Sequence, residues 1–258
     1  MNKTILIAPF ESSAARAFAE AARAAGWTVV LARSSGEEAE GRAAGRKQTA
    51  GKQARGTAGP QGAGSAVQAA AAADAGGAVE KQGVEAQGRA GSTVLSWNPS
   101  SYISTTALLL AAQNAVGPLG AAVIFEGGQT VDLLSSAPGS IEAEICAGCL
   151  GPSFLARGLI RQFEEQKSGS LLLYQKEIPP ETPRGPAAAL EAAAFRGLGD
   201  GLFEQGRGAG WQVFGILDSG GSEAEAARFA FRLLEDGKGG KTGRWLRFNG
   251  KSGIFGIF

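Results

Sequence analysis

Tyr174 and Lys176 stand two residues apart at the end of an apolar run, Ser170 to Tyr174, that reads as a strand. Strand alternation puts both side chains on one face. A cation beside a phenol lowers its pKa, so the pair could act as a proton donor. The plainer alternative is a half-buried tyrosine beside a solvated lysine. Cys146-Ala-Gly-Cys149 is a Cys-x-x-Cys. Its redox chemistry needs a helix start just after a strand, where the dipole activates a thiol. Here it falls inside an expected helix, where small residues at a helix contact explain it better. The chain has no histidine and only these two cysteines. A metal site is therefore not expected, and the usual general base and every Ser-His or Cys-His pair are missing.

The wider composition sets further limits. In 258 residues, 25 Lys and Arg face 24 Asp and Glu. That balance gives no case for nucleic acid or an anionic membrane as partner. The N-terminus fails as a signal peptide, and no apolar run reads as long enough to span a bilayer. Two cysteines make no disulfide framework, so the expected compartment is the cytoplasm.

These residues must be positioned by alternating strands and helices. Ile5 to Ala8 reads as a buried strand. Ser12 and Ser13 can cap an Ala-rich helix that ends at Gly26, and Thr28 to Ala32 is a second strand. This is a βαβ unit. Residues 35–92 are rich in Ala, Gly, Gln and charge, with three valines and no Leu, Ile or aromatic residue. Such a segment buries too little apolar surface to offset its ordering entropy. It is expected to be a flexible insertion within a single domain spanning 1–258. Order returns with strand Val94 to Trp97, a turn and helix start at Asn98-Pro99-Ser100-Ser101, helix Thr105 to Ala115 and strand Ala121 to Phe125. A long helix over 141–165 is expected to kink near Gly151-Pro152. Strand Ser170 to Tyr174, helix 187–205, strand Trp211 to Leu217, helix Glu223 to Glu235 and strand Arg244 to Phe248 complete the series. Alternation of this kind predicts an α/β fold, a doubly wound parallel sheet with helices on both faces.

Three stretches carry a family resemblance. Thr242-Gly243-Arg-Trp-Leu-Arg-Phe-Asn249-Gly250 looks like a closing Thr-Gly, strand and Asp-Gly-Gly. Gly117-Pro-Leu-Gly-Ala-Ala-Val-Ile-Phe-Glu-Gly127 looks like a fourth strand and its following glycine. Phe195-Arg-Gly-Leu-Gly-Asp-Gly-Leu202 has the apolar spacing of a catalytic helix. In this order they resemble the short-chain dehydrogenase/reductase superfamily, whose Rossmann-like fold is then implied for the whole chain outside the insertion.

The resemblance also says where the functional residues would lie, and there the chain departs from the pattern. The family's Thr-Gly-x-x-x-Gly-x-Gly turn falls on Ala8 to Ala15, which contains no glycine. Pro9 removes one N–H, Glu11 brings negative charge toward the expected phosphates, and Ala15 adds a methyl. Ser13-Ala14-Ala15 is similar to the Ser-x-Ala of divergent enoyl reductases. Cofactor contacts are implied for Pro9, Phe10, Ser12, Ser13, Ala14, Arg33, Asn98 and Gly127. Arg33, closing the second strand, suits a 2′-phosphate, so the expected cofactor is none or weakly bound NADP(H). The catalytic Asn, Ser, Tyr and Lys fall on Cys149, Gln175 or Lys176, Ala188 and Ala192. An alanine cannot transfer a proton, leaving Tyr174 and Lys176 as the only nearby substitutes. Two readings follow: a catalytically degenerate binding or assembly protein, or an active NAD(P)-dependent oxidoreductase with non-standard catalytic residues. The helices around 141–165 and 187–205 would be the surfaces of a homo-oligomer, with Ala192 at the seam.

Overall fold

A computed structural model of the chain describes residues 2–35, 92–127, 132, 134–179, 182, 185–220, 222–236 and 243–250. The expected insertion, apart from Ser35 and Ser92 at its ends, lies outside the described residues. Ser92 itself already belongs to a strand.

Seven strands form one parallel sheet: β1 (Thr4–Ala8), β2 (Thr28–Ser34), β3 (Ser92–Trp97), β4 (Ala121–Phe125), β5 (Ser170–Lys176), β6 (Gln212–Asp218) and β7 (Trp245–Phe248). Their order is β3-β2-β1-β4-β5-β6-β7. The edge strands β3 and β7 alternate toward water at their ends, while the five central strands are short apolar runs buried over most of their length. That is the signature of a sheet covered on both faces. In β1, Ile5 and Ile7 point to one layer while Leu6 and Ala8 point to the other.

The first layer is α1 (Ser13–Ala24) and, near the C-terminus, the helix Glu223–Asp236. Phe18 meets Phe125 and Phe231 edge to face, and Trp27 meets Phe231 in the same way. Such pairs contribute about 0.5–1.5 kcal/mol each beyond area burial, enough to fix the tilt of α1 on the sheet. Ser12 caps α1, its hydroxyl accepting from Ala15 N–H at 3.0 Å.

The second layer holds α2 (Tyr102–Val116), α3 (Pro138–Ile145), α4 (Gly151–Gln166) and α5 (Pro186–Gln205). The C-terminal helix of the first layer is then α6. Gly117 ends α2 at φ 77°, a left-handed backbone that a side chain would strain. Gly158 on α4 lets Leu109 of α2 approach so closely that an added Cβ would lie 2.3 Å from its Cδ1.

The expected long helix over 141–165 begins earlier, at Pro138, and is broken differently from the expected kink. Between α3 and α4 runs one π-helical turn, Cys146–Leu150. Pro152 has no N–H to return to the carbonyl of Gly148, so the turn widens just before the proline. Ser153 Oγ donates to the Cys149 carbonyl at 3.0 Å. The whole helical run Pro138–Gln166 is long and apolar enough, by length and composition, to cross a bilayer. That corrects the expectation that no such segment exists. In this fold the inner face of α4, including Leu155, Leu159 and Phe163, is buried in the second layer.

Candidate functional site

The strand order reverses between β1 and β4, because β1 continues to β2 on one side while β4 leads away on the other. In an open parallel sheet this switch point leaves a crevice at the C-terminal strand ends, where ligands bind. Four groups of residues define that edge.

The β1–α1 turn comes first. Phe10 N–H donates to the Ala32 carbonyl at 3.0 Å, tying the turn to β2. The carboxylate of Glu11 reaches to the end of β2 and accepts from Ser34 N–H at 2.6 Å. Ser12 is committed to the cap of α1, and Ser13 bonds the carboxylate of Glu223 at the start of α6. Ala14 and Ala15 are buried against the sheet. Two carboxylates thus flank a helix N-terminus whose serine hydroxyls are already engaged. Pro9 and Phe10 are half-buried, and Arg33 is exposed on β2 beside this turn.

Asn98 and its neighbours form the second group. Asn98 Oδ1 accepts from Ser100 N–H, and its own N–H donates to Ser104 Oγ. Ser100 Oγ donates to the Ala143 carbonyl on α3 at 3.2 Å. Asn98 is therefore a loop brace that helps anchor α3.

The third group lies between the π turn and α5. Glu191 on α5 is 2% exposed, and its Oε1 has no hydrogen-bond partner. Its carboxyl lies against Gly148, where a Cβ would sit 2.4 Å from Cδ and 2.7 Å from Oε2. Burial, then Glu144 and Glu126, push its pKa up to about 7. Burial raises Glu144, and burial with Glu191 raises the Cys149 thiol. A raised thiol pKa is the reverse of what a redox Cys-x-x-Cys requires. Gln175, also buried, donates to Glu126 Oε1 at 3.2 Å and to the Ala192 carbonyl at 3.0 Å. Gly127 sits beside Gly148.

The fourth group corrects the reading of Tyr174 and Lys176 as an acid pair. The two side chains go to different partners. Tyr174 is 2% exposed, and its hydroxyl donates to Asp218 Oδ2 at 2.7 Å. Burial and then that carboxylate hold its pKa well above the usual phenol range, the opposite of the lowering expected from a nearby lysine. Lys176 Nζ pairs with Glu223 at 2.8 Å, which raises its pKa.

The geometry therefore gathers Cys149, Gln175, Ala192, Gly127 and Glu191 around the second layer. Pro9, Phe10, Ser12, Ser13, Ala14 and Arg33 lie around the turn. Ala188 is half-buried near the start of α5, and Ala192 is 6% exposed, facing inward and not toward an outer seam. A separate cavity of about 600 Å³ opens beside β7, lined by Arg196, Phe203 and Trp245 among others. None of the expected site residues lines it. Sequence reasoning missed Glu191. Its signal was helical spacing: Ala187, Glu191 and Phe195 fall on one line four residues apart, and both neighbours are core residues. Among the described residues, no cluster of His, Cys, Asp or Glu is arranged to hold a metal.

The sheet order and crevice define a Rossmann-like, doubly wound α/β fold. The solved structure of a short-chain dehydrogenase from Streptomyces avermitilis is similar at TM-score 0.63 and 17% identity. The match covers 96% of this chain and 89% of that one. At that identity the similarity establishes the fold. No protein-family model matches the sequence, and no curated protein matches it.

Proposed function

We propose that this chain is a catalytically degenerate protein on the short-chain dehydrogenase scaffold, a binding or assembly protein with weak or no NADP(H) binding. One observation carries the reading: the β1–α1 turn is occupied by its own side chains. A dinucleotide pyrophosphate needs open backbone N–H groups and a positive helix end. Here Glu11 places a carboxylate there, Glu223 brings a second that Lys176 pairs, and Ser12 and Ser13 are bonded within the protein. The residues present do not fit the group. Proton transfer by the family's route is equally unsupported, because Ala188 and Ala192 replace its tyrosine and lysine.

Self-association fits the same reading. Ala189, Ala193, Gly197 and Gly201 repeat every fourth residue on α5, all exposed. Leu150 on the π turn and Leu190 on α5 are also exposed, and no residue of α3 is buried. Small residues at this spacing let two helices approach closely, so the homo-oligomer would use this outer line. Two free cysteines and a charge-balanced surface are in keeping with a cytoplasmic protein without nucleic-acid partners.

A second reading, an active NAD(P)-dependent oxidoreductase, is favoured by Glu191 alone. It lies on the helix that should carry the acid, with a pKa of about 7. An absorbance assay of NADPH and NADH with ketones, aldehydes and enoyl thioesters separates the two. No cofactor consumption is expected. Consumption abolished by Glu191→Gln would establish the second reading in place of the first.

A further inference from the structure

Glu191 is buried on the inner side of α5. A buried carboxyl with an unpartnered oxygen costs free energy even when neutral, and far more when charged. The groups facing it are unhelpful to an anion: Glu144 on α3, Glu126 at the end of β4, and the thiol of Cys149 on the π turn. The causes acting on its protonation include no cation. What covers it is weakly held. The π turn lies on the carboxyl through Gly148 alone among its buried residues, and α3 buries none. Both pack on α5. The polar anchor of α3 is Ser100 Oγ on the Ala143 carbonyl.

We propose that Glu191 is a proton-controlled latch: neutral, it lets the π turn and α3 lie closed over α5, and ionised, it releases them from the C-terminal edge of the sheet. Closed, Gly148 lies between Glu191 and Gly127 at the strand end. Release hydrates the carboxylate, separates it from Glu144, and uncovers Gly127, Gln175 and the inner side of α5. The glycine is required because any side chain at 148 would occupy the carboxyl's place.

The sign of the pH effect follows from linkage. In the closed state the group holds its proton up to about pH 7. In the open state it returns toward the ordinary glutamate value of about 4.3. Opening therefore becomes more favourable as pH rises between those values, by about tenfold per unit, and levels off above the upper one.

Hydrogen exchange tests this on the whole chain, with amide rates corrected for their intrinsic pH dependence. From about pH 5 to pH 7, opening of 140–150 should grow by about a hundredfold and then level, while the amides of β4 and β5 stay protected. In Glu191→Gln the same segment should show no such rise. Glu144→Gln removes one like charge, so levelling should begin at lower pH. A flat profile in the unaltered protein overturns the latch. So does a rise that persists in Glu191→Gln, or one shared equally by β4 and β5. Should Glu191→Gln fail to fold, the unaltered and Glu144→Gln profiles decide alone.

Discussion

Replacing Tyr174 by Phe separates a structural tyrosine from a catalytic one. The ring is buried against Phe125, with centroids 4.9 Å apart, and Phe keeps that contact. Only the hydroxyl is lost. Its partner Asp218 is 2% exposed, and the other oxygen, Oδ1, accepts from Gly220 N–H at 3.2 Å. Removing the donor leaves Oδ2 without this bond inside the protein. A hydrogen bond to a charged acceptor contributes about 1.5–3 kcal/mol, so Tyr174→Phe should lose that much stability at pH 7. The pH dependence gives a second check. The folded pKa lies above the ordinary phenol value, so the native state holds a proton that the unfolded chain releases above about pH 10. The bond's stability is thus fully present below that pH and lost as pH rises. At pH 11 the advantage over Tyr174→Phe should shrink by about 1.4 kcal/mol, one unit of linkage. Urea unfolding of both proteins at the two pH values measures this. A loss below about 0.5 kcal/mol at pH 7, or an unchanged gap at pH 11, would refute the reasoning.

Other expectations follow from the same geometry. Ala193→Arg, on the outer line of α5, should yield a folded monomer, whereas Ala192→Arg places a charge in the interior and should unfold the protein; light scattering and circular dichroism distinguish them. Reversed outcomes would show that the oligomer does not use this face. Glu11→Gln removes one carboxylate from the β1–α1 turn and should tighten NADPH binding by roughly tenfold, about 1.4 kcal/mol. Unchanged calorimetric affinity would show that Glu11 is not what weakens the site.

The sheet was legible because its central strands are largely apolar runs. Ile5 to Ala8 and Ala121 to Phe125 read as buried from composition alone, and the parallel order followed from the intervening helices. Helix starts were less legible. The start at Ser101 was readable from the Asn98-Pro99-Ser100-Ser101 turn, but Pro138 opens its helix earlier than the apolar spacing begins, since the fixed φ of a proline sets that end. The π turn could not be read, because the missing N–H of Pro152 acts several residues before the proline. Pairing was the least legible level. Alternation placed Tyr174 and Lys176 on one face, but which carboxylate each meets depends on β6 and α6, more than forty residues away. The same holds for Glu191, whose neighbours come from β4, α3 and the π turn.

We propose that the β1–α1 turn has lost its grip on a dinucleotide. Calorimetric titration of the full chain with NADPH, and with NADH in parallel, tests it most directly. The lost donors and added carboxylates cost about 1–2 kcal/mol each, or roughly 100-fold together. Dissociation constants should therefore be high micromolar to millimolar if binding is detected at all. NADPH should be the tighter of the two through Arg33, with the difference erased in Arg33→Ala. A low-micromolar constant for either cofactor, accompanied by hydride transfer to a carbonyl substrate, would show that the turn still holds a dinucleotide.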